Sequence, residues 1–478
     1  MSLPEEPATP SPAPRSALLW LVAVGFFMQT LDATIVNTAL PTMAHALGES
    51  PLRMQSVIVS YSLTMAMLIP ASGWLADRFG TRRLYVLAIS LFVLGSLLCA
   101  LAPSLGFLVA ARVLQGLGGA LLLPVGRLAV LRAFPREQFL KAMSFVVIPG
   151  LVGPLIGPTL GGWMVEYLSW HWIFLVNLPV GLLGLAATLR FMPRGESYAV
   201  KPFDGKGYVL LAFGMVAVSL ALDSMSGQGI HGAMVLVLLV FGLASLAGYW
   251  LHALRRPDPL FSPELFAVRS LRVGLLGNLF SRLGSSCMPF LMPLVLQVCM
   301  GFSPMQAGMM MLPTVLASMA VKRRTTQLIE RLGYKRVLVG NTLVLSVMIA
   351  SFGLLSPTLP LWLVIALLLV FGASNSMQFT AMNTVTLKDL DVGNASSGNS
   401  LLSMVQMLAM SMGVAAAGAV LAGFSQWFGH AQPADTLNAF RATFVCMGLV
   451  TMASSMVFSQ LGNDEDVRAR PMEPAEAE

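Results

Sequence analysis

Asp32 is the one carboxylate placed well inside a long apolar run of this chain; Glu166 and Asp223 fall near the ends of theirs. An acid at membrane depth is costly, so it normally faces a wet cavity and works as a proton site. Burial and a neighbouring cation act in opposite directions on a carboxyl's hold on its proton, so alternating exposure can load and unload one. Arg112 is the partner by depth. Asp32 lies about eight residues before the outer end of its span, and Arg112 about seven after the outer start of another. At 1.5 Å per residue both sit roughly 10–12 Å from the same surface. Gln115 shares the face of Arg112 one turn on, and Gln29 stands one turn before Asp32. Asp32 and Arg112 thus read as a proton-sensitive unit switched by charge-assisted hydrogen bonding. A permanent packing salt bridge is the plainer alternative.

Arg282 bears most on what is bound. It sits mid-span with Asn278 at i−4 and Ser285 and Ser286 at i+3 and i+4, one polar face of a helix. Asn399, Ser403 and Gln406 make a second such face, and Asn375, Gln378 and Asn383 a third. With Gln29, Asn37 and Gln115, these faces are the candidate lining of a substrate cavity. A cation without a nearby intramembrane acid fits an anionic substrate better than a lipophilic cation; interhelical hydrogen bonding and snorkelling are the bland readings. The 31 methionines, Met309, Met310 and Met311 among them, suit an adaptable pocket but equally ordinary packing. Cys99, Cys287, Cys299 and Cys446 lie in or beside apolar spans as inert thiols, and the five histidines are scattered. No phosphate-cradling loop is present. Neither an enzyme nor a metal or cofactor is expected, and an ion gradient is the energy source.

The elements that must hold these residues are helices. The chain is 56% hydrophobic and only 11% charged, whereas a soluble domain carries about a quarter charged residues. Apolar runs of roughly 20 residues, each long enough to cross about 30 Å of hydrocarbon, fill it from end to end, and backbone groups in lipid must bond internally. Spans are expected at roughly 17–40, 54–76, 84–102, 105–127, 141–163, 168–192, 207–225, 232–253, 273–298, 307–328, 336–356, 360–386, 397–423 and 440–461. That is a fourteen-helix, all-α polytopic membrane protein. With the N-terminus inside, 25 of the 29 Lys and Arg residues lie on the inner side, leaving only Arg53, Arg112, Arg282 and Arg441 elsewhere. The positive-inside rule then puts both termini in the cytoplasm. This placement also accounts for the net charge of +7 without a nucleic-acid partner; the expected partners are the lipid bilayer, protons and a small-molecule substrate. Residues 1–16 and 463–478 read as disordered tails.

The chain is internally duplicated. Gly73-Trp-Leu-Ala-Asp77-Arg78-Phe-Gly80-Thr-Arg82-Arg83-Leu84 returns, degraded, as the stretch from Gln327 to Val337, with Gly80 matching Gly333. Gly48-Glu-Ser-Pro51 matches Gly301-Phe-Ser-Pro304 at the same spacing of 253 residues. Two related membrane units around a central site is how many secondary transporters are built. A half of six helices needs fewer residues than this spacing, so two extra helices separate the halves. The organisation is 17–192, a six-helix half; 193–259, loop, two extra helices and linker; and 260–462, the second half.

Five motifs carry a family resemblance. They are the Gly73–Leu84 loop, Leu31–Pro41, Arg112-Val-Leu-Gln-Gly116, Gly153-Pro154-Leu-Ile-Gly157-Pro158-Thr-Leu-Gly161-Gly162 and Trp170–Pro179. In this order they resemble the fourteen-helix drug:proton antiporter branch of the major facilitator superfamily. His171 between the two tryptophans, where that branch commonly has Arg, and Ala395–Ser403 are similar to its bacterial MdtD-type members. The resemblance implies a proton-coupled exporter in a bacterial inner membrane, acting as a monomer on amphipathic, drug-like compounds. It also implies a coupling role for Arg112 and a latch from Asp77 to the helix start near Ser396, where the dipole favours an acid. Gly153, Gly157 and Gly161 repeat every four residues as a flat seam, and Pro154 and Pro158 should bend it. Arg112 and Arg282 keep a rival open, export of an endogenous anionic metabolite such as an organic acid or its metal chelate. A non-transporting membrane sensor is more remote.

Overall fold

A computed structural model of the protein describes residues 12–134, 136–193, 202–224, 232–390, 392–429 and 433–462. Among these residues every regular element is helical. The first half is built from α1 (Pro12–Ile35), α2 (Gln55–Phe79), α3 (Thr81–Ala100), α4 (Leu105–Ala133), α5 (Arg136–Tyr167) and α6 (Asn177–Phe191). The inserted pair is α7 (Gly205–Ser224) and α8 (Gly232–Arg255). The second half holds α9 (Arg269–Ser285), α10 (Leu312–Ala320), α11 (Lys322–Ser351), α12 (Leu361–Leu387), α13 (Val392–Phe428) and α14 (Pro433–Phe458). Among the described residues twelve helices are long and apolar enough to cross a membrane. The remaining two expected positions are taken by α5, which has three internal prolines, and by a broken run around α10.

Departures from the expected spans have local causes. α1 begins at Pro12, earlier than read from the sequence, and stops at Ile35, where a 3-10 turn leads into the short helix Leu40–Leu47. The rest of both tails lies outside the described residues. α9 is followed by a second piece, Met288–Val298, because Pro289 cannot donate the bond owed to Ser285. Pro313 does the same to Met309, separating Pro304–Met309 from α10. α11 turns a corner at Gly333 (φ 78°, ψ 161°), so its first turns complete the tenth span and the rest forms the eleventh.

The duplication is visible in the backbone. Among the described residues the positive-φ positions are all glycines, and four of the five are the two repeat pairs: Gly48 (66°) with Gly301 (71°), and Gly80 (82°) with Gly333 (78°). Each pair reverses the chain where a side chain would be strained. Ser50 and Ser303 follow the first pair, and each caps the next helical turn with its hydroxyl.

The halves are joined at one end and split at the other. At the end bearing Gly48 and Gly301, a single apolar cluster takes buried residues from both halves, Leu40, Val57 and Phe174 together with Leu291, Val295 and Phe444. Toward the end bearing the Asp77 loop another cluster runs along one flank, from Leu63 of α2 through Met215 and Tyr249 of the inserted pair to Leu271 and Leu401, but two others keep to one half each. One takes its buried residues from the first half alone (Leu18, Leu84, Val130), the other from the second half alone (Val273, Leu338, Val385). Cross-half hydrogen bonds also fall at the joined end: Gln297 to the Thr38 carbonyl (3.0 Å), Met305 N–H to Glu166 (3.2 Å), and Ser411 to the Val59 carbonyl (3.5 Å). Apart from that flank, the space between the halves therefore opens toward the Asp77 loop.

The inserted hairpin is anchored by Asp204. Its carboxylate accepts His252 Nε2 at 2.8 Å, Gly207 N–H at 3.1 Å and Leu260 N–H at 3.2 Å, with Arg256 Nη1 at 3.6 Å. Burial alone would raise its pKa, but the His252 bond and the two backbone bonds outweigh it and hold the carboxyl below its ordinary value. A depressed acid contributes stability that is complete above about pH 4 and lost as pH falls through the folded value. Amide exchange at Gly207 and Leu260 is therefore expected to lose protection in acid, and His252→Ala to shift that loss to higher pH.

Candidate functional site

Asp32 is wholly buried (0% exposed) and Arg112 nearly so (1%). Arg112 Nη1 lies 2.6 Å from Asp32 Oδ2. The other carboxylate oxygen, Oδ1, accepts Gln115 Nε2 (2.7 Å) and Asn177 Nδ2 (3.0 Å). Ser96 Oγ takes second bonds from the same two amides, at 2.7 and 3.3 Å. Arg112 also donates to Gln115 Oε1 (2.6 Å) and, through Nε, to the Val57 carbonyl (3.2 Å). Its guanidinium lies over the Tyr61 ring, 4.1 Å from the centroid. Five helices of the first half, α1, α2, α3, α4 and α6, thus close one charged box.

Close backbone approach makes the box possible. A Cβ on Gly95 would come within 2.6 Å of Gln115 Cβ, and one on Gly116 within 3.0 Å of the Tyr61 carbonyl. Gly95→Val is expected to push α3 off α4 and break the Gln115 bonds, seen as lost thermal stability in detergent.

The glycine seam of α5 lies on the other side of α1. Cβ atoms on Gly153 and Gly161 would reach Leu31 N at 2.7 Å and Thr38 Oγ1 at 2.8 Å, and one on Gly157 would overlap Thr34. Pro154 is half-buried beside them. Further along, Gly162 faces Met305 Cα at 2.7 Å and Pro158 meets Gly308, both across the halves. Gly162→Val is expected to wedge the joined end open, raising the reactivity of thiols introduced there.

Asp77 is engaged within its own half, by Arg132. The side chains at the helix start near Ser396, where the family's latch would fall, lie outside the described residues. Arg82 donates to the Leu189 carbonyl, Arg78 lies over the Trp74 ring at 5.8 Å, and Arg83 belongs to the first turns of α3 with Gly73 one helix earlier.

The second-half polar residues divide. Asn278 is buried and spent on packing, donating to the Gly274 carbonyl (2.9 Å) and accepting Arg282 Nε (3.3 Å). Gln378 is tied to Asn341 (2.8 Å) and Thr342 (2.7 Å) on α11, so it joins two helices of one half. Gln406 bonds Asn383 at 2.6 Å. Asn37 and Ser285 are buried, and Asn375 and Asn399 half-buried. Arg282 lies over Phe379 at 4.6 Å, and its Nη2 is buried without a hydrogen-bond partner among the described residues. The spacing of 253 residues pairs Arg282 with Gln29 and Ser285 with Asp32. Among the same residues Gln29 Oε1 is likewise buried without a partner. Repeat-related positions therefore hold an unpaired acceptor in one half and an unpaired donor in the other.

Sequence reasoning did not assign Ser96, Tyr61 or Asn177 to the box. Asn177 stood inside the Trp170–Pro179 motif and was the one with a signal. His171, from the same motif, stacks on Trp170 with ring centroids 3.8 Å apart and pairs with Ser169 Oγ at 2.6 Å.

A family model described as Major Facilitator Superfamily matches residues 22–414. The chain belongs to the major facilitator superfamily. It is a multi-pass membrane transporter and not an enzyme. Within the superfamily it is 50% identical over 446 residues to a protein of Serratia proteamaculans (strain 568), covering 93% of each chain. It is 51% identical to one of Cronobacter sakazakii (strain ATCC BAA-894), covering 93% of this chain and 94% of that one. Both carry the provisional name multidrug resistance protein MdtD. Among solved structures it is similar to a POT family transporter in complex with 5-aminolevulinic acid (TM-score 0.68, 16% identity, covering 93% and 95% of the two chains). It is also similar to the xylose transporter XylE from E. coli in a partially occluded inward open conformation (TM-score 0.59, 14% identity, 92% and 98%). At these identities the solved structures bear on the fold alone.

Proposed function

We propose that the protein exports small amphipathic, drug-like compounds across the bacterial inner membrane in exchange for protons, its two halves alternating access to the space between them. The support is the Asp32 box. Among the described residues its carboxylate is bonded by donors alone, from Arg112, Gln115 and Asn177. A proton on Asp32 cancels the charge opposite Arg112 and turns one oxygen into a donor among donors. The box cannot keep every bond in both protonation states, so protonation loosens the hold of α1 on its neighbours. α1 is also the helix that carries the α5 seam, and α5 reaches the joined end through Gly162. A proton event at Asp32 thus has a packed route to the contact between halves. On the orientation set by Lys and Arg, the split end faces the cytoplasm along with both termini, ready to load substrate. The protein acts as a monomer on this reading.

Arg282 favours a second reading, export of an anionic metabolite such as an organic acid or its metal chelate. An unpartnered buried guanidinium nitrogen attracts a carboxylate more than a lipophilic cation. One measurement separates the two: collapse of ΔpH in oriented proteoliposomes on adding ethidium or citrate in parallel. Collapse with ethidium supports drug export and leaves Arg282 a structural residue. Collapse with citrate alone makes Arg282 the leading anion contact. No response to either overturns both.

A further inference from the structure

Nothing in the duplicated pattern needs α7 and α8. α8 is mostly open to lipid, with Leu236, Val240, Phe241, Leu243 and Leu251 exposed. α7 is different: it packs on α2 of the first half and on α13 of the second. Near its end, Asp223 Oδ1 accepts Gln55 Nε2 at 2.9 Å. Gln55 opens α2 and is 1% exposed. Its amide lies in a notch over the bare backbone of Gly418 on α13, where a Cβ would stand 2.9 Å from Nε2 and overlap the rest of the group. A carboxylate of the inserted helix, an amide of the first half and a glycine of the second therefore meet at the joined end. Asp204 fastens the other end of the same helix to the linker. Nineteen residues separate the two acids, roughly 28 Å at 1.5 Å per residue, about the depth of the hydrocarbon.

We propose that Asp223 is a clasp for the joined end, holding the Gln55 amide in the Gly418 notch so that the inserted hairpin stabilises the conformation open toward the Asp77 loop. A bond to a carboxylate is stronger than one between neutral groups, and more so away from water. When the halves rock to open this end, α2 and α13 must part, Gln55 leaves the notch, and water takes its place on Asp223. The clasp acts on closure and rests on alternating access, but its test needs no substrate.

Ser411 is buried between α2 and α13, so Ser411→Cys reports on that seam. The half-buried Cys299 and Cys446 are replaced by Ser, and the full-length protein in nanodiscs is treated with a membrane-impermeant maleimide. Asp223→Ala is expected to raise the Ser411→Cys labelling rate several-fold, and Gln55→Leu to do the same. The double variant is expected to go no further than either, because one bond is being removed twice. Asp223→Asn, which keeps a neutral acceptor, should fall between and serves where the alanine variant folds poorly. Labelling at the parent rate in Asp223→Ala, Asp223→Asn and Gln55→Leu, or strictly additive effects in the double variant, would overturn the clasp. Because no substrate is added, either result stands whether or not the proteoliposome assay reveals proton-coupled export.

Discussion

Asp32→Asn is expected to leave substrate exchange running at equal pH on both sides and to abolish accumulation driven by ΔpH. The amide is the same size as the carboxylate, and its oxygen still accepts from Gln115 and Asn177, 2.7 and 3.0 Å away in the parent. Two things change. The side chain can no longer exchange a proton, and its NH2 now meets Arg112 Nη1, a donor against a donor. The box is then fixed in one protonation state, while the cavity residues of the second half are untouched. Substrate can still bind and cross by counterflow, but nothing ties its passage to the proton. The measurement is paired, counterflow and ΔpH-driven uptake in the same proteoliposome preparation, with a thermal melt to show that the variant is folded. Full ΔpH-driven transport by Asp32→Asn would sink the coupling role.

The pairing of Asp32 with Arg112 was legible because helices rise regularly, so depth can be counted along two spans and compared. The other members of the box were not. Which helix faces which is a tertiary property, and Ser96 gives no sign in its own apolar span that α4 and α6 both turn amides toward it. The same limit shows in the second half. Periodicity puts Asn278, Gln378 and Asn383 on polar faces, but it does not say whether a face meets the cavity or a neighbouring helix. Gln378 meets Asn341 and Thr342 of α11, and Asn383 meets Gln406 of α13. The duplication was legible for a backbone reason, since its anchors Gly48, Gly80, Gly301 and Gly333 are positions where the turn needs positive φ. The broken helices were harder to read. Pro289 and Pro313 were in plain view, yet membrane helices often absorb a proline when neighbours satisfy the freed carbonyl.

Arg112→Leu is expected to cost more stability than any other single change in the box, about 3–5 kcal/mol, the usual penalty for stripping one partner from a buried ion pair. The loss is that large because a buried carboxylate is left without its cation, and either its bare charge or its neutralisation disrupts the box. Arg112 also donates to the Val57 carbonyl and to Gln115 and covers the Tyr61 ring, so three further contacts fall with it. Arg112→Lys keeps the charge but loses the planar fork that serves these groups together; intermediate stability and weakened coupling are expected. The decisive comparison is the double variant Asp32→Asn with Arg112→Leu. Removing both charges removes the unpaired one, so the double variant should melt well above Arg112→Leu alone, although it differs from the parent at two positions of the box rather than one. It should remain uncoupled, because stability and proton exchange then part company. A double variant no more stable than Arg112→Leu would show that the guanidinium acts through packing rather than charge, and the proton-sensitive unit would lose its switch.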